Sequence, residues 1–427
     1  MKHLSLLALP FLLSGCTTPS ANSDPSTIST PVPMNVSSGK EFDYKAVSAR
    51  AKEASSVVTA QNDFGTRLLV RLEEKNAKHE NLIASPTSLW QALAMATGGA
   101  KGETKTQMKT LLALPNQTEE QIGAANRAFN TLLAEQKGAS ISVANSVWFA
   151  DTFQPNPAFT TMASKNFAAS VGKFASADAA GGAEKINAWV SEHTQKEIPQ
   201  IVEAGDVEGN SAMLVNAVYF RGGWENTFDK SQTKPAPFHL ADGTTVQVPM
   251  MHREYGHGYL NGESFEGISL PYENTSCALW VLLPKGKQTP ADVLREVGEL
   301  DKKSGADLYG REEVVLSLPR FEVQWRDTVT KDLAAMDAPV PFGKGADFSG
   351  MGTPIANISS VIHVCKMRVD EEGTVAAAAT AIGMAGAAAP VQREKKILTF
   401  DRPFVVALME ENSKARLFEG MVYDPRS

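Results

Sequence analysis

Asp370 to Pro403 reads DEEGTVAAAATAIGMAGAAAPVQREKKILTFDRP, and its first half decides what kind of chain this is. The acidic pair Glu371-Glu372 and Gly373 are followed by sixteen residues, Thr374 to Ala389, with no charge, no proline and no aromatic side chain. Alanine has the highest helix propensity, so by itself the run reads as a helix or a flexible linker. A third reading is a strand held in reserve. A segment that slides between two existing strands must offer a backbone N–H at every position, which proline cannot do, and side chains that cost little to desolvate. Thr374, Val375, Ala376, Ala377, Ala378, Ala379 and Thr380 meet that demand.

The residues around this stretch choose between the readings. Glu371 to Ala378 (EEGTVAAA) resembles the hinge motif of the serpin family nearly residue for residue, and Phe400-Asp401-Arg402-Pro403-Phe404 resembles its FNRPF element. Leu417 to Val422 (LFEGMV) with Asp424-Pro425 is similar to the LFMGKVxxP terminus. Asn81 to Ser88 (NLIASPTS) and Gly98 to Gln107 (GGAKGETKTQ) match the N-xxx-SP-x-S and GAxGxTxxQ blocks. Leu214 to Gly222 (LVNAVYFRG) with Trp224 resembles LVNAIYFKGxW, and Val248 to Met251 the block VPMM. The blocks occur in the family's order and cover roughly residues 50 to 425.

The resemblance implies an α+β chain with the serpin fold: mixed helices, three β-sheets, and an exposed reactive-centre loop at about 371–395 that can insert into the central sheet. It implies an inhibitor that works by being cut. A serine protease attacks the loop and forms an acyl-enzyme. Insertion of the loop as an extra strand then traps that intermediate if it outruns deacylation. The inhibitor needs no catalytic residue, metal or cofactor of its own. Counting from the hinge puts the reactive bond between Ala387 and Ala388, within one or two residues. The small side chains there suit an elastase-like or subtilisin-like enzyme, with a cysteine protease left open as a target. Gly383 and Gly386 are a mild departure that adds flexibility.

By the same resemblance, Asn81, Ser85, Ser88, Asn216 and His363 form the hydrogen-bonded shutter beneath the central sheet, where strands must part. Such a network can hold two strands together and re-form after another enters. A satisfied core histidine is the plainer account of His363 alone. At the top of the sheet, the breach, Glu371 is expected to pair with Arg320 beside Trp224. A solvated carboxylate is the alternative.

The start of the chain sets the compartment. Lys2, the apolar run Leu4 to Leu13, and Leu13-Ser14-Gly15-Cys16 fit a bacterial lipoprotein signal of residues 1–15, cleaved before a lipidated Cys16. The competing accounts are an ordinary secretory signal and a buried apolar start. The run is too short to span a bilayer as a mature helix. Residues 16–45 are expected to be the lipidated cysteine and a disordered tether, rich in Ser, Thr, Pro and Asn. Residues 46–427 are then one domain, anchored to the cell envelope, with the outer membrane or cell surface favoured because Thr17 is not an aspartate.

Composition agrees: 43% hydrophobic, 21% charged, formal net charge −7. That balance offers nothing to nucleic acid. Thr118 to Lys137 sets Glu119, Glu120 and Glu135 against Arg127 and Lys137, so no polyanion cofactor is expected. The chain reads as a monomer. Cys277 and Cys365 lie in apolar strand-like runs that the family places in different sheets, which makes them buried and unpaired rather than a disulfide.

Local patterns supply the elements. Ser85 is a good N-cap with Pro86 at the first helical position, and Leu89, Ala92, Leu93 and Ala96 continue one face until Gly98-Gly99. Strands are predicted over 141–149, 212–220, 278–283, 314–318, 361–369 and 404–409. Two rival functions stand beside the inhibitor. A non-inhibitory serpin would keep the fold as a binding module, though its hinge commonly carries charged or bulky residues. A penicillin-binding or β-lactamase-like hydrolase would use Ser170-Val171-Gly172-Lys173, Tyr272-Glu273-Asn274 and Lys303-Ser304-Gly305. These patterns are short, and Ser170 begins no clear helix.

Overall fold

The computed structural model describes residues 44–255, 258–301, 308–310, 313–354, 358, 360–374 and 395–426. Cys16, Val375 to Ala378, Ala387, Ala388 and the Lys303-Ser304-Gly305 pattern lie outside the described residues. The chain folds as α+β, with two six-stranded sheets, a four-stranded sheet and a two-stranded ribbon. The first helix, Tyr44–Glu73, runs for 30 residues and begins two residues before the expected domain boundary at 46. No helix among the described residues is long and apolar enough to cross a membrane.

The central sheet positions the site. Its spatial order is Phe321–Thr328, Ile362–Val369, Gly373–Thr374, Ala212–Gly223, Ala139–Ala150 and Ser170–Phe174. Ala139–Ala150 and Ala212–Gly223 pair antiparallel along their length, and their register sets Asn145 opposite Asn216. Phe321–Thr328 pairs antiparallel with Ile362–Val369. Among the described residues, the two halves are joined by the two-residue strand Gly373–Thr374 alone, antiparallel to both neighbours: Thr374 faces Val369 on one side and Gly222 on the other.

The helix Pro86–Thr97 lies behind this sheet and against the second one. Ser85 caps it as expected, its hydroxyl accepting from the backbone N–H of Ser88 at 3.1 Å. Every residue of the helix is buried, because it is covered on both sides. The strands Cys277–Pro284, Phe404–Glu410 and Ala415–Val422 of the second sheet are likewise buried throughout; the first two are nearly continuous apolar runs, and the third carries Arg416 paired with Glu419 at 2.7 Å. Each predicted strand exists; five match at an end or run up to three residues longer, and the one predicted over 361–369 begins a residue later, at Ile362. Cys365 sits in the central sheet and Cys277 in the other six-stranded sheet; both are free and buried.

Candidate functional site

At the top of the central sheet the chain turns from Val369 into the hinge. The Asp370 carboxylate accepts from the backbone N–H groups of Glu372 and Gly373, at 2.9 and 3.3 Å, and the Asp370 N–H donates to the Gly373 carbonyl at 3.0 Å. This is an aspartate organising its own turn. Gly373 is required by a close approach: a Cβ there would lie 2.1 Å from the Gly222 carbonyl oxygen and 2.9 Å from the Gly223 Cα.

Trp224 grips the turn twice. Its backbone N–H donates to the Glu372 carbonyl at 2.9 Å and its indole Nε1–H to the Asp370 carbonyl at 2.9 Å. Phe228 adds a third bond, from its N–H to the Glu371 carbonyl at 2.9 Å. Glu371, only 2% exposed, accepts from Arg320 Nε at 2.7 Å, from the same guanidinium's Nη2, and from the Thr233 hydroxyl. Burial pushes the Glu371 carboxyl up, and the Arg320 and Thr233 hydrogen bonds outweigh it, leaving the group ionised below its ordinary range. The trio expected at the breach, Trp224, Arg320 and Glu371, therefore meets around one turn. Glu372 pairs instead with Lys230 at the surface, where an ion pair contributes little.

Tyr272, which the sequence offered only within the hydrolase-like Tyr272-Glu273-Asn274 pattern, joins this site. Its ring stacks on Trp224 with centroids 4.6 Å apart and meets Phe220 edge-on at 4.7 Å. Its hydroxyl shares a hydrogen bond of 2.5 Å with the hydroxyl of Thr374, and both residues are buried. Burial drives the phenol well above its ordinary value, so it stays neutral. Apart from that pattern, its sequence signal was an aromatic residue closing an apolar strand.

The shutter lies lower in the sheet. The backbone N–H of Ser85 donates to His363 Nε2 at 3.0 Å, and the Ser85 hydroxyl donates to the Leu417 carbonyl at 2.6 Å. The Ser88 hydroxyl donates to the Asn216 side-chain carbonyl, whose amide in turn donates to Asn145. Asn145 passes the chain on to Gln91 at 2.8 Å and to the Phe167 carbonyl at 3.0 Å. Every member is an amide, a hydroxyl or an imidazole. Burial holds His363 down at about 4, so it is neutral near pH 7. The network therefore places no charge in this low-dielectric interior.

Asn81 is a correction. It was expected in this cluster, but its side chain accepts from the N–H groups of Tyr423 and Asp424, at 2.6 and 2.9 Å, and donates to the Asp424 carbonyl at 2.7 Å. The short strand Leu82–Ala84 separates it from Ser85, so it straps the end of the chain to the body. Asn145 and Gln91 complete the network and were not anticipated, because nothing local marks a buried amide in a strand or helix as one of a set.

Between the two halves of the sheet is a cavity lined by Ser88, Met213, Leu214, Asn216, Ile362 and His363. Among the described residues no ladder joins Ala212–Gly223 to Ile362–Val369 below Thr374. Among the described residues the hydrolase alternative finds no geometry. Ser170 opens a strand rather than a helix, is buried, and alternates to the opposite face from Lys173. Tyr272 is occupied with Thr374. No group of three or more His, Cys, Asp or Glu among the described residues is placed to hold a metal ion.

Comparison with known proteins agrees with this architecture. The family profile described as "Serpin (serine protease inhibitor)" matches residues 59–425, and the chain belongs to the serpin family. The human leukocyte elastase inhibitor is 31% identical over 383 residues, covering 86% of this chain and 99% of that protein. Serine protease inhibitor 42Dd of Drosophila melanogaster is 27% identical over 363 residues, covering 84% and 95%. The solved structure "Cleaved Serpin 42Da" superposes with a TM-score of 0.76 at 24% identity, covering 88% of this chain and 99% of that one.

Proposed function

We propose that this protein is a suicide-substrate inhibitor of serine proteases with preference for small residues, cut between Ala387 and Ala388. The observation that carries the reading is the hinge: Gly373–Thr374 is already a rung between two strands that, among the described residues, share no ladder below it, above a cavity lined from both strands. A loop continuing from Thr374 into that gap gains backbone hydrogen bonds on both sides. At roughly 1 kcal/mol net each, a dozen bonds amount to on the order of 10 kcal/mol, comparable to the stability of a whole domain. That energy is available only after the loop is cut, because an uncut loop is held at both ends.

The acyl-enzyme supplies the cut with the protease still attached through the Ala387 carbonyl. Insertion carries the protease away from the top of the sheet and distorts its catalytic geometry. Val375 to Ala378, small and without proline, keep the entry of the strand unobstructed. A cysteine protease forming a thioester fits the same scheme. A lipid anchor at Cys16 places the inhibitor at the envelope of a bacterial cell, outer membrane or cell surface, and makes extracellular proteases its targets.

The test mixes the purified protein with an elastase-like protease, and resolves the products on a denaturing gel with mass mapping of the cut. A band at the summed mass, with cleavage beside Ala387, supports the reading. Cleaved protein with free active protease and no gain in thermal stability sinks it in favour of a non-inhibitory serpin. Labelling with palmitate, abolished by Cys16→Ala, tests the anchor separately.

A further inference from the structure

We infer that Tyr272 is a positioning residue that latches Thr374 into the sheet before any protease arrives, so that loop insertion starts from a rung already formed. The inference deepens the inhibitor reading and rests on it for its biological consequence. Thr374 is buried, and its hydroxyl meets Tyr272 at 2.5 Å. Tyr272 cannot move away easily: Trp224 stacks on one face and Phe220 abuts the ring. Its backbone is fixed too, with the Tyr272 N–H on the Cys277 carbonyl at 3.0 Å and a bridge to Trp224. Gly222 completes the seat, because a Cβ there would lie 2.9 Å from Tyr272 Cδ1.

The first rung of a new strand orders several backbone dihedrals in return for few hydrogen bonds, so it is the costly step, and later rungs add bonds to an ordered template. Here that step is complete in the uncut protein. The backbone bonds of the rung are generic, whereas the hydroxyl pair is specific to these two side chains. Removing one hydroxyl leaves the other buried without its partner, and that imbalance favours release of the hinge. Removing both at once restores the balance. A released hinge must be captured again after cleavage, and deacylation gains time against insertion.

The experiment uses the full chain with Tyr272→Phe, Thr374→Val, the double variant, and Thr374→Ser, which keeps the hydroxyl. Two readouts are taken: the moles of inhibitor consumed per mole of protease trapped, and the rate at which protein cut in the loop by a protease that is not trapped gains heat stability. Each single variant is expected to raise the consumption and slow the gain in stability several-fold. The double variant and Thr374→Ser should return toward the parent. If single variants lower only the melting temperature of the uncut protein, leaving both readouts unchanged, Tyr272 is structural and the inference is overturned. If the parent traps no protease yet the single variants slow the gain in stability, the latch stands and the inhibitor reading fails.

Discussion

The backbone N–H of Ser85 and the Nε2 atom of His363, 278 residues apart in sequence, meet at 3.0 Å under the point where the central sheet divides. A backbone N–H can only donate, so Nε2 must accept and the imidazole carries its proton on Nδ1. The bond is a property of the neutral ring alone. Around it stand Cys365 Sγ at 3.2 Å and the Trp325 ring at 6.1 Å, neither of which supplies a negative charge.

Acid should therefore loosen this protein through His363. Its folded pKa of about 4 lies below its ordinary 6.5, so the unfolded state binds the proton more readily between those values. Stability rises with pH through that window and is lost as pH falls from 6.5 toward 4, by on the order of 3 kcal/mol at most. Denaturant titrations at pH 7 and pH 4.5, compared with His363→Gln, check it. A variant with the same loss on acidification as the parent would contradict the assignment.

Arg320→Ala should destabilise the breach by about 1–3 kcal/mol, less than a fully buried pair because the guanidinium is partly in water. Glu371 is nearly sealed and would keep Thr233 as a partner but lose its hydrogen-bonded cation. The expected result is a lower denaturation midpoint with an unchanged m-value. Glu371→Gln should cost less than Arg320→Ala, since it removes the charge along with its need for a counter-charge.

Asn216→Ala should cost about 1–3 kcal/mol, because it strips the Ser88 hydroxyl and the Asn145 carbonyl of their partner at once. A double-mutant cycle with Ser88→Ala measures the coupling. Strict additivity would show that the two do not act as one network.

Thr374→Arg and Ala376→Pro should each turn the protein into a substrate. Thr374 sits in a space closed by Gly222, Val369 and Tyr272, which holds no guanidinium, and proline at 376 offers no N–H to the growing ladder. Cleavage without a covalent band on a denaturing gel is the expected outcome. A persistent covalent complex with either variant would falsify the insertion mechanism.

Most of the site was legible in the sequence as blocks. Glu371, Arg320 and Trp224 were expected together and are together; Ser85, Ser88, Asn216 and His363 likewise. Asn81 was carried into the shutter with its block, and the fold sent it to Tyr423 and Asp424 instead, one short strand away. The hinge role of Tyr272 and the network roles of Asn145 and Gln91 were not anticipated, because their partners lie 102, 71 and 54 residues distant and no local pattern announces those pairings.

The sequence by itself determined the family, the cap and length of the helix after Ser85, the core strands, and a hinge of small residues without proline. Those features are local, written in propensity, periodicity and short motifs, and survive being read one window at a time. Only the tertiary structure decided that Gly373 and Thr374 stand as a rung between Val369 and Gly222, that Tyr272 holds the second of them, and that an uncharged network crosses beneath. Hydrogen bonds between distant side chains depend on the register of strands and the depth of burial. Both are fixed only when the whole core closes.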